Sequence, residues 1–163
     1  MKDIVLLLHN IRSTHNIGSI FRTSDGLGVS KIILSGYTPY PMLTQNDPRL
    51  PHIAQKLTRS ISKTALGAET LVPFEHSPSP PIETLKSNGY AIVGLEQDIR
   101  SRPLTEYSPS GKIALLLGNE LDGISEEHRA LCDTLLEIPM QGKKESFNVS
   151  VAAGIALYHL VYS

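Results

Sequence analysis

The chain has 163 residues, 40% hydrophobic and 19% charged, with a formal net charge of −1 and a single cysteine. That length suits one domain with its own core, and the composition excludes a disordered chain, a disulfide-stapled miniprotein and a uniformly basic nucleic-acid binder. No apolar run reaches the roughly 20 residues of a membrane span and no signal-peptide pattern opens the chain, so it reads as a soluble, cytoplasmic protein of a reducing compartment.

In chain order, the apolar run at 4–8 has strand length and is nearly continuous, as in strands covered on both faces. A polar loop then feeds a helix over 17–28, with Ile17, Ile20, Phe21 and Leu27 near one side, Asn16 as its N-cap and Gly26-Leu27-Gly28 as its stop. A second strand falls at 32–34. Residues 36–58, with prolines at 39, 41, 48 and 51, read as a long functional or mobile loop. A short strand at 71–74, a helix at 79–88, strands at 91–95 and 113–117, a helix at 124–131 capped by Ser125 and a short strand at 135–138 follow. Strand and helix alternate, so the fold class is α/β with a mainly parallel sheet flanked by helices. Cys132, inside an apolar run, reads as a buried thiol. The last helix, from about 147 to 162, is apolar on nearly all sides and carries Ala152, Ala153, Gly154 and Ala156. Such a helix needs cover all round, and its small residues permit close approach of a second subunit, so a homodimer is expected.

The average charge conceals an asymmetry. Residues 1–67 hold eight Lys/Arg against three Asp/Glu, whereas the remainder holds seven against thirteen. Arg49, Lys56, Arg59 and Lys63 lie close together in the positive half, as a phosphate-facing patch or a solvated loop and helix face. Other chemistries lack their signatures. Gly26-Leu27-Gly28 has no third glycine at dinucleotide-fingerprint spacing, no phosphate-loop or Gly-x-Ser-x-Gly pattern occurs, and the six histidines show no paired ligand spacing, so no metal is assigned.

Three runs remain. The first, Asn10 to Arg22, is a loop entering a helix, with Arg22 one turn after Gly18 and directed away from Ile17 and Ile20. A guanidinium there offers a planar set of donors for phosphate, or pairs on the surface with Asp25 or Asp3. The second, Leu117-Gly118-Asn119-Glu120-Leu121-Asp122-Gly123, ends a buried strand and puts a carboxylate at the carboxyl edge of the sheet, where open α/β folds bind ligands. Glu120 equally suits a helix cap or backbone amides. The third, Ile138 to Gly154, passes from a strand stopped by Pro139 through a polar glycine-containing loop to Ser146 and Asn148, which open the last helix.

In this order the three runs resemble the motifs of the SpoU (TrmH-like) family of RNA ribose methyltransferases in the SPOUT superfamily. The first matches at Asn16, Gly18 and Arg22, the second at Gly118, Asn119, Glu120 and Gly123, and the third at Ile138-Pro139-Met140, Gly142, Ser146, Asn148, Val149 and Ser150. Lys63-Thr64-Ala65-Leu66-Gly67-Ala68-Glu69 is also similar to a stretch found in many members. Phe147 departs from a common leucine. The resemblance implies a C-terminal deep trefoil knot, which general rules of chain topology would exclude. It implies S-adenosylmethionine bound by Leu95 and Glu96, by Leu117, Gly118 and Asn119, and by Ile138, Met140, Ser146, Phe147 and Asn148. It also implies an active site formed across a homodimer that includes the first and last helices. The implied reaction is methyl transfer to a ribose 2′-hydroxyl of tRNA or ribosomal RNA, with Arg22 activating it and Asn16, Glu120, Ser146 and Asn148 orienting the arginine, the RNA phosphate or the cofactor. A guanidinium is an awkward base, so Arg22 is read as binding the adjacent phosphate and the nascent alkoxide.

Many relatives add an N-terminal RNA-binding domain; here one catalytic domain over 1–163, without a separate RNA-binding domain, is expected. RNA recognition then falls to that domain, with Arg12, Arg49, Arg59 and Lys63 as the track and Lys143 and Lys144 as additions. Two rival readings are a non-catalytic RNA-binding or assembly protein that retains the fold, and a small-molecule methyltransferase.

Overall fold

The computed structural model describes residues 2–163; Met1, the first residue of the expected domain, lies outside them. The first apolar run forms β1 (Asp3–His9), and its side chains alternate between two cores. Ile4, Leu6 and Leu8 face one cluster, Val5 and Leu7 the other, as the two-residue repeat of a strand requires. Then come α1 (Thr14–Gly26), β2 (Lys31–Ser35), α2 (Pro51–Ala65), β3 (Phe74–Ser77) and α3 (Ile82–Ser87). The second half comprises β4 (Tyr90–Leu95), β5 (Arg102–Pro103), β6 (Lys112–Leu117), α4 (Glu126–Leu131), β7 (Thr134–Glu137) and α5 (Val149–Tyr162). The strands make one seven-stranded sheet in the order β3-β2-β1-β6-β4-β7-β5. Every pairing is parallel, so the α/β reading holds.

Helices α1, α2 and α5 bury Ile17, Phe21, Ile61, Ala65, Ala153 and Leu157 in one cluster, and α3 puts Ile82 and Leu85 into the other. Both faces of the sheet are thus covered, which is why its central strands read as continuous apolar runs. No described helix is long and apolar enough to cross a membrane.

The structure corrects the sequence reading at several points. Asn16 is not the N-cap of α1; Ser13 is, its hydroxyl accepting from the Asn16 amide at 3.2 Å, and Asn16 sits inside the first turn. Residues 51–58 are not loop. They begin α2, at 15 residues the longest helix, because Pro51 occupies a first-turn position where its missing N–H costs nothing and its fixed φ suits the helix. The strand expected at 71–74 lies at 74–77, and β5 had no periodic signal in its two residues. The last helix begins at Val149, with Asn148 as its cap.

The remaining loop, 36–50, is pinned. The Thr38 hydroxyl donates to the Ser35 carbonyl at 2.7 Å and accepts from the Ile11 amide at 3.1 Å. Arg49 bonds the Asp47 carboxylate and the carbonyls of Tyr40 and Pro41, with its guanidinium 3.5 Å from the centre of the Tyr40 ring. That pair, chiefly through the Arg49 hydrogen bonds, holds Asp47 well below the usual carboxylate range. The stretch at 63–69 also has a structural job. Leu66 takes a left-handed conformation that ends α2, and the buried Glu69 carboxylate accepts from the Ser62 hydroxyl and from the Gly67 amide, tying the exit loop back on the helix. Cys132 is only partly buried; burial still pushes its thiol up to about 11.

Candidate active site

A cleft of about 490 Å³ opens at the carboxyl edge of β4, β6 and β7. Three segments line it, 95–97, 117–123 and the two ends of the stretch after β7 at 137–138 and 145–148, and the first turn of α5 closes one side through Val149 and Ala152. Of the residues expected to hold a cofactor, Leu95, Glu96, Leu117, Gly118, Asn119, Ile138, Ser146, Phe147 and Asn148 are all in the wall. Met140 is not. It lies beyond the Pro139 break, on the polar loop, and is half-buried outside the lining.

The wall is built by backbone-directed side chains. Glu96 accepts from the Gln97 amide at 2.9 Å and from the Ile124 amide at 2.7 Å, so its carboxylate fastens the loop after β4 to the loop before α4. Asn119 folds its own loop: its carboxamide oxygen accepts from the amides of Leu121 and Asp122 at 2.8 and 3.0 Å. Gly118 is obligatory there, because a Cβ would lie 2.4 Å from the Gly123 carbonyl group. Glu120 takes the backbone-amide role that its sequence left open. Its oxygens accept from the Arg12 amide, each at 3.1 Å, and one also from the Ser13 amide at 3.3 Å, locking the loop that enters α1 onto the cleft.

Asn16 and Asn148, far apart in sequence, meet where the side-chain Nδ2 of Asn148 donates to the Asn16 carboxamide oxygen at 3.2 Å. The Asn148 oxygen also accepts from the Ser150 amide and hydroxyl at 2.9 and 2.6 Å. The starts of α1 and α5 are thereby joined at the cleft. Ser146 is exposed in the wall, with no bond among the described residues. Arg22 is elsewhere: it is exposed, outside the lining, six residues and so about 9 Å further along α1 than Asn16. Among the described residues Arg22 makes no ion pair with Asp25 or Asp3; Asp3 instead accepts from the Tyr90 hydroxyl at 2.6 Å.

Sequence reasoning missed Gln97, Asp122, Glu137 and Glu145, which also line the cleft. Gln97 and Asp122 lie in the loops after β4 and β6, Glu137 ends β7 and Glu145 precedes α5, and that position near the carboxyl edge was their only signal. With Glu96 and Glu120 they make a wall rich in carboxylates and free of lysine and arginine, set against apolar Leu95, Leu117 and Ile138. Such a cleft suits a ligand with a flat apolar part and positive charge. Among the described residues no group of three or more His, Cys, Asp or Glu is placed to hold a metal ion.

Ten of the fifteen cations fall into two sets that bear on the RNA track. Arg49, Arg100, Arg129, Lys31 and Lys86 are paired with carboxylates. Arg49 therefore leaves the expected RNA track, its guanidinium being filled by internal partners. Arg12, Arg22, Lys56, Arg59 and Lys63 are exposed and have no side-chain partner among the described residues. On α2, His52, Lys56, Arg59 and Lys63 follow one another at four, three and four residues, which is one stripe of a helix that contains no acid. The stripe runs beside the first run, since Thr14 and Ser60 share a hydroxyl bond at 2.6 Å and Thr64 donates to the His15 carbonyl at 2.8 Å.

The model of the SpoU rRNA Methylase family matches residues 3–158. The chain is 31% identical over 160 residues to the 23S rRNA (guanosine-2′-O-)-methyltransferase RlmB of Vibrio vulnificus, a match covering 97% of this chain and 58% of that protein. It is 31% identical over 159 residues to RlmB of Coxiella burnetii, covering 96% and 57%. The chain thus spans a little over half the length of these relatives. Among solved structures, the TrmH/SpoU tRNA modifying enzyme of A. aeolicus superposes with a TM-score of 0.78 at 28% identity, over 98% of this chain and 74% of that one. The SpoU methyltransferase AviRb of Streptomyces viridochromogenes, in complex with AdoMet, gives 0.75 at 29%, over 99% and 60%.

Proposed function

The chain belongs to the SpoU rRNA methylase family, and on that premise we propose that it is an S-adenosylmethionine-dependent methyltransferase acting on a ribose 2′-hydroxyl of tRNA or ribosomal RNA. The observation that carries this reading is that the second and third runs line one cleft and the first is tied to its wall, Asn16 by Asn148 and the entry to α1 by Glu120. The cofactor, when bound, supplies an electrophilic methyl group on a sulfonium. Leu117, Ile138 and Leu95 offer apolar faces to its adenine, and Asp122, Glu137 and Glu145 supply a negative field for its sulfonium and ammonium charges. With cofactor and RNA in place, the ribose oxygen would take the methyl group by in-line displacement, its proton going to water and the electron pair of the broken C–S bond to sulfur. Arg22 holds the neighbouring phosphate and the oxygen as its negative charge grows.

Two further elements belong to this reading. The C-terminal segment after β7 is read as the family's trefoil knot, and Gln97, which donates to the Glu145 carbonyl at 2.6 Å, ties that segment to the loop after β4. The working unit is a homodimer. Val151, Ile155, Tyr158 and Tyr162 form one exposed stripe on α5, with Tyr158 62% exposed, and Arg22 lies on the adjoining α1. Covering that stripe with a second copy brings Arg22 toward the partner's cleft. Ile155→Asp is expected to give a folded monomer by light scattering with methyl transfer lost; a stable dimer would remove this part of the reading.

The α2 stripe is the RNA track, continued by Arg12. Reversing Lys56, Arg59 and Lys63 together to glutamate is expected to weaken RNA binding and flatten its dependence on log salt by about 2 to 3 units of slope. An unchanged slope would locate the RNA elsewhere. The function itself is tested by transfer of labelled methyl from S-adenosylmethionine to separate tRNA and ribosomal-RNA pools from cells lacking the protein, followed by nucleoside identification. A 2′-O-methylated nucleoside from one pool supports the reading. No transfer, with cofactor bound, turns it toward a non-catalytic RNA-binding protein. Transfer to a small molecule alone would overturn the RNA assignment.

A further inference from the structure

Tyr37 is one of the most exposed aromatic side chains of the molecule, at 59%, yet it is held from both ends. Its backbone amide donates to the Asn10 carboxamide oxygen at 3.1 Å, and its hydroxyl accepts from Asn119 Nδ2 at 2.6 Å. The other hydrogen of that nitrogen goes to the Asn10 carbonyl at 2.9 Å. Asn10 itself is in a left-handed conformation, φ 57°, and a Cβ on the preceding Gly36 would lie 1.9 Å from its carboxamide oxygen. Asn10, Gly36, Tyr37 and Asn119 therefore form one tight knot of contacts at the carboxyl edge of β1, β2 and β6.

Exposed tyrosines ordinarily sample several rotamers, and ordering one costs entropy. Here the ordering is already done, by an asparagine that is part of the cleft wall. The neighbours along this rim are Glu120 and Arg12, the latter exposed and without a carboxylate partner among the described residues. A solvent-facing ring bonded to the cleft wall through Asn119, with an arginine without a carboxylate partner two residues from Asn10 on the same rim, is an arrangement that takes a flat group next to a phosphate. Stacking on an aromatic ring is how unpaired RNA bases are held.

We propose that Tyr37 is a stacking platform for an unpaired base of the RNA substrate, holding the nucleotide chain at the rim of the cleft while Arg12 takes an adjacent phosphate. The proposal rests on the RNA methyltransferase reading. It adds a recognition residue absent from the sequence motifs, and it makes the substrate region single-stranded or flipped out, because a base in a helix has no free face to offer.

The test compares Tyr37→Phe with Tyr37→Ala. Phenylalanine keeps the ring and loses only the bond to Asn119; alanine loses both. Binding of the RNA pool that is methylated, measured by competition with a labelled single-stranded oligonucleotide of mixed sequence, is expected to weaken about 5- to 100-fold in Tyr37→Ala, the range of one lost base stack. Tyr37→Phe is expected to stay within about threefold of the unaltered protein, by the small net worth of one hydrogen bond. Cofactor affinity, read by calorimetry with S-adenosylmethionine alone, is expected to be unchanged in both. Equal losses in the two variants, or a loss of cofactor affinity in step with RNA affinity, would make Tyr37 a brace for Asn119 and overturn the proposal. If the unaltered protein transfers methyl and Tyr37→Ala binds RNA equally well, the platform is overturned while the enzyme reading stands. If the unaltered protein neither binds nor methylates either pool, the enzyme reading falls and takes the platform with it.

Discussion

Arg22→Ala is expected to lower methyl transfer by at least about a hundredfold, the scale of removing one preorganised charge-stabilising donor, with S-adenosylmethionine affinity unchanged. The division follows from position. Arg22 is exposed on α1 and absent from the cleft wall of its own chain, so no contact that would hold the cofactor is lost. Loss of cofactor binding would show that it builds the pocket, and the division of labour would fail. Arg22→Lys is expected to recover only part of the rate, because an ammonium keeps the charge and loses the fork that in the proposed role engages phosphate and ribose oxygen together. The distance of about 9 Å along the helix between Asn16 and Arg22 gives the variant a second use. If Arg22 serves the partner's cleft, co-refolding Arg22→Ala with the cleft-blocking Ile138→Asp, each inactive alone, restores transfer, since a mixed dimer contains one site with both native residues. No restoration would place Arg22 in its own subunit's chemistry.

The sequence made the sheet legible because its central strands are buried on both faces, and nothing but apolar side chains fits such positions. It hid α2 for a local reason: Pro41, Pro48 and Pro51 look alike in a list of prolines, although only the last starts a helix. The cleft was legible through strand ends and polar loops, and the motif residues were located by resemblance. Their jobs were not. Whether Glu120 faces a ligand or two amides, and whether Arg49 meets RNA or Asp47, depends on which backbone passes within about 3 Å, a matter of tertiary approach that periodicity does not encode. Arg59 and Lys63 differ from Arg49 in the same way. All three stand in the basic half, and only the fold shows that two of them have no carboxylate within reach among the described residues.

Gly18 illustrates how a motif residue acts without touching substrate, and Gly18→Ala carries the largest expected loss of stability. A Cβ at this point on α1 would lie 2.0 Å from the Thr64 hydroxyl, 2.2 Å from the Ile61 carbonyl oxygen and 2.9 Å from the Ala65 amide. The first could rotate away; the other two belong to the backbone of α2. The helices must therefore separate, and both bury their apolar faces in the same core through Ile17, Phe21, Ile61 and Ala65. Overpacking that cannot relax costs about 3 kcal/mol or more, and for a chain of this size that lowers Tm by roughly 6 to 12 °C. Two companion variants separate the cause. Thr64→Ala in the Gly18→Ala background is expected to rescue little, because the Ile61 carbonyl still obstructs; full rescue would mean that the hydroxyl alone sets the spacing. Gly26→Ala, at the end of the same helix with nothing within 4 Å of its Cβ, is expected to leave Tm unchanged or slightly raised. Because α2 carries the cationic stripe and α1 carries Arg22, a Gly18→Ala protein that still folds at low temperature is expected to lose RNA affinity before cofactor affinity. Glu96 and Gln97 are tied to Ile124 and Glu145 and not to α1 or α2, whereas the spacing between Arg12, Arg59 and Lys63 is set by the α1–α2 contact itself.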